Sequence, residues 1–300
     1  MAAAGFPYID VPTNIGPINI FGILLATGVL FGGWLVRKYA ERNGLDEEDM
    51  RWLVIRVTVW GFIGSFVLNT VFYEWGAFAR DPWDVTKKLG ISSYGAAVAG
   101  AIAFLVYTHI RKLDRRRWSD LAAWGAAGGW LFGRLGCALV HDHVGARSDF
   151  PLAVAFPGDP DGPGKALGSF PFDRTATETI QAHDLGLYEF FLWCVLLVAL
   201  VLLERWKGRR PGFLMGFMAF AYSIPRFLFE FLRPEITDPR YGGLTFAQWA
   251  SIAAFFIGLW LMFGPMKPRT EPLPEAVATV TKPKPVPQKK SPAAKKKKKK

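Results

Sequence analysis

Gly133-Arg134-Leu135-Gly136-Cys137-Ala138-Leu139-Val140-His141-Asp142-His143-Val144-Gly145 begins inside an apolar run and ends in a His-Asp-His triplet. The run, roughly 119–140, has the length of a helix that crosses the hydrocarbon core of a bilayer, about 20 residues. An ionisable side chain in such a segment is costly and is expected to face the bundle interior or a counter-charge. Arg134 should therefore meet an anion inside the protein, and in a bilayer the commonest anion is a lipid phosphate. The triplet marks where the chain leaves the membrane.

The rest of the chain agrees with that reading. Of its 300 residues, 51% are hydrophobic and 15% aromatic, and the mean hydropathy is +0.19. These values exclude an ordinary soluble domain. Cys137 and Cys194 both fall in apolar runs and show neither metal-site spacing nor a disulfide framework. Seven stretches are apolar enough to span, at 18–36, 52–73, 91–110, 119–140, 185–204, 211–232 and 243–264. Arg56 interrupts the second near its end, where it can snorkel to the interface. Arg226 interrupts the sixth too deeply for that. Met1 to Pro17 has no basic segment of the kind that opens a cleavable signal peptide.

Lys and Arg concentrate in the short loops on the cytoplasmic side of a membrane protein. Segments 37–51, 111–118 and 205–210 carry four, five and four, and the stretch from Lys267 onward carries 12. The expected architecture is an all-α integral membrane protein with seven transmembrane helices. Its N-terminus lies outside, its C-terminus is cytoplasmic, and residues 1–266 form the membrane domain. Segment 141–184, rich in Gly, Pro and Asp through Pro157-Gly158-Asp159-Pro160-Asp161-Gly162-Pro163-Gly164, is expected to form a small irregular periplasmic cap. Residues 267–300 read as a disordered basic tail. The net charge of +11 is mostly this tail, which suits anionic membrane lipids better than nucleic acid.

The sixth span carries Tyr222-Ser223-Ile224-Pro225-Arg226-Phe227-Leu228-Phe229-Glu230. Tyr222, Arg226 and Glu230 are four residues apart and share a helix face, and Pro225 frees a backbone carbonyl in the turn before it. Arg226 and Glu230 read either as an internal salt bridge that fixes packing or as part of an anion clamp. Arg134, at a comparable depth, favours the clamp, since two guanidinium groups can hold one phosphodiester. His141 and His143 read as interfacial polar residues, as proton acceptors, or as metal ligands with Asp142 and His183. Cys137, one turn from Arg134, reads as packing or as a reactive thiol. His109 reads as a cytoplasmic boundary residue.

Gly133-Arg134-x-Gly136 with Gly145 downstream resembles the signature of bacterial prolipoprotein diacylglyceryl transferases, G-R-x-G-N-F-x-N-x-E-x-x-G. Tyr222-x3-Arg226-x3-Glu230-Phe231-x-Arg233 is similar to the same family's penultimate helix. Shorter likenesses are Phe150-Pro151-Leu152-Ala153-Val154-Ala155-Phe156-Pro157, Leu187-Tyr188-Glu189 and Gly243-Leu244-Thr245-x-x-Gln248-Trp249. The likeness runs through nearly the whole chain up to the tail. Some positions differ. Tyr94 stands where the family has the histidine of a His-Gly-Gly motif, Phe21 where it has a tyrosine, Cys137 and Val140 where it has asparagines, and Asp142 where it has a glutamate.

The resemblance implies transfer of the diacylglyceryl group of phosphatidylglycerol to the lipobox cysteine of a prolipoprotein signal peptide, the first step of lipoprotein maturation. It implies a multi-pass protein of the bacterial plasma membrane with its site toward the outer leaflet, and neither a cofactor nor a metal. Arg134, Arg226, Tyr94 and His143 are the expected catalytic residues. Glu230, Tyr222, Asp142, His141, Gly145, Tyr188 and Glu189 are the expected substrate-binding residues. Two other functions remain compatible with the altered positions: transfer of a lipid-derived group to another acceptor, and non-catalytic binding of phospholipid or lipoprotein.

Overall fold

The structure, a computed structural model, describes residues 5–12, 14–15, 18–83, 90–157, 179–234 and 240–265. Most of these residues are helical. The long helices are α1 (Ile20–Asn43) and α2 (Glu47–Tyr73), then, after the short α3 (Trp75–Arg80), α4 (Ser93–Ile110), α5 (Arg115–Val140), α6 (Leu185–Glu204), α7 (Phe213–Phe229) and α8 (Phe246–Phe263). Five of them, α1, α2, α4, α6 and α8, are long and apolar enough to cross a membrane. The other two are those that carry Arg134 and Arg226: α7 has 17 residues with Pro225 inside it and gives way to a 3-10 turn at Glu230–Leu232.

Most long helices begin where a side chain takes up the amides that a first turn leaves unpaired. Asp46 accepts from the Asp49 amide at 2.8 Å, Asp184 from that of Leu187 at 3.0 Å, and Thr245 forms a capping box with Gln248. α7 is capped from another helix. Asp120 of α5 accepts from the amides of Gly212 at 2.9 Å, Leu214 at 2.8 Å and Met215 at 3.2 Å.

α5 lies at the centre, against α1, α6 and α7, while α2 pairs with α4 and α7 with α8. The α1–α5 seam is drawn close by glycine. A Cβ on Gly32 would stand 2.7 Å from the Gly125 carbonyl oxygen, and one on Gly128 would stand 2.5 Å from Gly32 Cα. Small residues of this kind let helix backbones approach within a membrane. Leu35, Val36, Trp118, Leu121, Trp124 and Leu200 fill the space between the helices. Large apolar side chains also cover the outside: Leu30 is 75% exposed, Val195 65% and Phe256 62%. A surface of this extent needs lipid or protein against it. Arg56 is exposed and lies over the rings of Trp52, at 5.0 Å, and Tyr107, at 4.8 Å.

The segment expected to be irregular is ordered where it is described. β4 (Val144–Arg147), β5 (Val154–Phe156) and β6 (Ile180–Asp184) join β1 (Phe6–Pro7) in a four-stranded sheet of order β1-β5-β6-β4. This corrects both the all-α expectation and the irregular cap. β1 runs parallel to β5 across nearly 150 residues of sequence, β5 and β6 are antiparallel, and a bulge interrupts β4 against β6. Val144, Val154, Phe156 and Ala182 form the sheet's own small core, with Phe6, Tyr8 and Leu187 against it. Two further pairs are β2 (Asn14–Ile15) with β3 (Ile18–Asn19), and β7 (Arg240–Tyr241) with β8 (Leu244–Thr245). Residues 158–178, with most of the Gly-Pro-Asp run, and the basic stretch 267–300 lie outside the described residues.

Candidate active site

The expected groups meet at one end of the bundle, where α5 and α7 finish and α4, α6 and α8 begin. Arg134 and Arg226 converge there, each 7% exposed. They meet on one carboxylate. Arg134 Nε is 3.0 Å from Glu189 Oε2, and Arg226 Nε is 3.7 Å from Glu189 Oε1. Glu189 is 1% exposed and also accepts a hydrogen bond from the Tyr222 hydroxyl.

Of the two readings of the sixth span, the internal salt bridge is present, with Arg226 Nη1 2.6 Å from Glu230 Oε2. It does not isolate Arg226, because the same guanidinium reaches Glu189 and donates through Nη2 to the Tyr94 hydroxyl at 3.0 Å. Arg233 Nη1 lies 3.7 Å from Glu230 Oε1. Three guanidinium groups thus surround two glutamates. Partners of opposite sign offset the desolvation of each buried charge.

Cys137, Asp142 and His143 adjoin this cluster beside Arg134. Cys137 Sγ is 4.0 Å from Arg134 Nη1, and the His143 imidazole is hydrogen-bonded through Nδ1 to Asp142. Two glycines of the signature stretch are fixed by close contact. A Cβ on Gly136 would stand 2.8 Å from the ring of Phe21, the residue at the family's tyrosine position. One on Gly145 would stand 2.7 Å from the Leu232 carbonyl oxygen.

Two residues expected to bind substrate have other partners. His141, 4% exposed, closes α5 in a left-handed conformation with φ 50°. Its Nδ1 is 2.6 Å from Asp184 Oδ2, its Nε2 is 3.3 Å from the Ile9 carbonyl, and Tyr8 stacks on its ring. It therefore ties the N-terminal segment to the junction of α5 and α6. Tyr188 is hydrogen-bonded to His183 Nδ1 at 2.9 Å and packs against Phe150 and Phe229. Burial holds the His183 imidazole below its usual pKa.

Asp184, which caps α6 and holds His141, went unrecognised in the sequence. The central position of Glu189 also went unrecognised. Its signal was depth: Glu189 lies between one and two turns from the start of α6, as Arg134 does from the end of the antiparallel neighbour α5.

In a helical membrane protein, buried guanidinium groups that share a carboxylate mark a candidate functional site by default. The family model of prolipoprotein diacylglyceryl transferases matches residues 10–264, and the chain belongs to that family. It is similar to phosphatidylglycerol–prolipoprotein diacylglyceryl transferases from several bacteria. The one from Gloeobacter violaceus is 30% identical over 251 residues, covering 81% of this chain and 88% of the relative. The one from Thermosynechococcus vestitus is 29% identical over 251 residues, covering 81% and 87%. The one from Roseobacter denitrificans is 27% identical over 299 residues, covering 86% and 97%.

Proposed function

We propose that the chain transfers the diacylglyceryl group of phosphatidylglycerol to the lipobox cysteine of prolipoprotein signal peptides. The observation that carries this reading is the convergence of Arg134 and Arg226 on Glu189. Two buried guanidinium groups already oriented toward one oxyanion are prepared for a phosphate at no further reorganisation cost. The lipobox sulfur attacks the glycerol carbon that bears the phosphate ester. A carbon–sulfur bond forms, the carbon–oxygen bond breaks, and glycerol phosphate leaves with the electron pair. Arg134 and Arg226 neutralise the leaving phosphate, an interaction that strengthens as charge develops on it.

The attacking group must be a thiolate. His143, oriented by Asp142, takes the thiol proton in the manner of an imidazole held by a carboxylate. Tyr94, accepting from Arg226, directs its own hydroxyl hydrogen to the headgroup. Tyr222, Glu189 and Glu230 hold the two guanidinium groups in place. Gly145 keeps the close passage between sheet and helix end on which His143 depends.

All seven long helices cross the plasma membrane in this reading. The N-terminus and the sheet face outward, and the C-terminal basic stretch is cytoplasmic and lies near anionic lipid. Its support is the Lys and Arg asymmetry of the loops together with the common end at which the site residues collect. Incubation of the purified chain with phosphatidylglycerol and a lipobox peptide, followed by mass spectrometry, tests the reaction. The peptide is expected to gain a diacylglyceryl mass, with loss of the gain in Arg134→Ala. Lipid binding with an unmodified peptide would overturn transfer and leave a binding protein.

A further inference from the structure

We infer that Cys137, Asp142 and His143 form a site for one divalent cation of borderline softness, zinc above all, at the C-terminal end of α5. One ligand atom from each residue lies within 4.8 Å of the other two. Zinc bound at about 2.0 Å to nitrogen or oxygen and about 2.3 Å to sulfur needs its ligands roughly 3.3–3.8 Å apart. Occupation draws the sulfur toward the other two ligands and replaces the hydrogen bond between Asp142 and His143.

The backbone explains why residues five and six apart converge. His141 ends α5 in the left-handed region, with φ 50°, and turns the chain back so that 142 and 143 return over the last helical turn, which carries Cys137. The sequence alone offered His141, Asp142 and His183 as companions of His143. The structure engages both elsewhere, His141 with Asp184 and His183 with Tyr188, and brings the thiol in instead.

A thiolate, an imidazole and a carboxylate are the donors that zinc prefers, and three protein ligands leave a fourth position open. Charge balances as well. Thiolate and carboxylate together neutralise a divalent ion, so the occupied site is itself neutral beside Arg134, whose Nη1 stands 4.0 Å from the sulfur. Binding displaces the thiol proton into solution. An ion has a way in, because the side chains of His143 and Asp142 are 28% and 34% exposed although Cys137 is buried. Neither ligand formation nor its test depends on the lipid reaction. An occupied site would claim the imidazole that the proposed transfer uses as a base.

The test uses the full chain, stripped of metal in detergent and titrated first with Co2+ and then with Zn2+, without lipid or peptide. One equivalent of Co2+ is expected to give a thiolate-to-cobalt charge-transfer absorption, and one equivalent of Zn2+ to abolish it. The band should survive Cys194→Ala and vanish in both Cys137→Asn and His143→Phe. Zn2+ should also protect Cys137 of the unaltered chain from alkylation, at least tenfold in rate, with Cys194 labelling unchanged. This arm does not depend on any variant folding. Absence of the band, its persistence in Cys137→Asn, or alkylation of Cys137 indifferent to Zn2+ would overturn the site.

Discussion

The two ends of the helix bundle use the same residue in opposite ways. At the end where α1 and α6 finish, Arg42 pairs with Glu204 at 2.8 Å, Arg111 pairs with Asp49 at 2.7 Å, and Arg116 donates to the Leu261 carbonyl at 2.9 Å. The side chains of Arg42 and Arg111 are each 52% exposed. At the other end the side chains of Arg134 and Arg226 are 9% and 8% exposed, and each meets carboxylates that are 1% exposed. An exposed ion pair contributes about 0–1 kcal/mol because water screens it. A buried one does not repay its desolvation better than apolar packing would, yet breaking it by removing one partner is severe. Distance alone does not separate the two ends. Burial does, and costly burial of charge is what a catalytic use would explain.

The largest effect tests that contrast directly. Arg134→Ala leaves the buried Glu189 with one cation fewer, and should cost on the order of 3–5 kcal/mol of stability. It should also lower the transfer rate by on the order of 100- to 1,000-fold, as loss of one oxyanion donor does. The double variant Arg134→Ala with Glu189→Gln is expected to recover most of the thermal stability and none of the activity. Thermal unfolding in detergent and the peptide transfer assay measure the two quantities separately. Recovery of activity in the double variant would make the arginine structural.

The seam that positions α5 comes next. Gly32→Val forces a side chain toward the Gly125 carbonyl oxygen, 2.7 Å from where its Cβ would be. Overpacking of this kind costs about 1–3 kcal/mol. Because α5 carries Arg134 as well as Asp120, the strain should be felt at both ends of the bundle. Gly33→Val is the control, since a Cβ at Gly33 meets nothing within 4 Å. Equal losses of stability in the two variants would remove the close seam from the account.

The deep arginines were legible because charge inside an apolar run is rare and has a physical cost, and the i, i+4 spacing of Arg226 and Glu230 already placed them together. Glu189 was named through the family likeness, but its place between the two arginines was not. A lone glutamate near the start of an apolar run reads as interfacial until the depth of the neighbouring antiparallel span is known. The sheet was not legible, because its strands are two to five residues long and β1 finds β5 across most of the chain. Local patterning does not encode such pairings. The meeting of Cys137 with His143 depends on the left-handed turn at His141, a conformation uncommon outside glycine and so not read from the sequence.

A smaller effect separates the ends by pH. His183 sits against Tyr188 at the site end, and burial lowers its pKa relative to the unfolded chain. Above the unfolded value of about 6.5 the imidazole is neutral in both states and costs nothing. As pH falls through that value the unfolded state binds the proton first, so stability declines until the folded-state pKa has also been passed. His183→Gln should therefore flatten the thermal midpoint between neutral and mildly acidic pH. An unchanged slope would mean that acid acts elsewhere.

The smallest effect should come from the opposite end. Arg42 holds Glu204 by two hydrogen bonds, Nε to Oε1 at 2.9 Å and Nη2 to Oε2 at 2.8 Å, a better geometry than Arg226 has on Glu189. If geometry decided the energetics, Arg42→Ala would be the more damaging change. Because half of its side chain is in solvent, the expected cost is below about 1 kcal/mol, shrinking further as salt rises because the Debye length shortens. Transfer activity should stay unaltered. Thermal unfolding of Arg42→Ala at low and high salt measures this, and a loss matching that of Arg134→Ala would remove the distinction between the two ends.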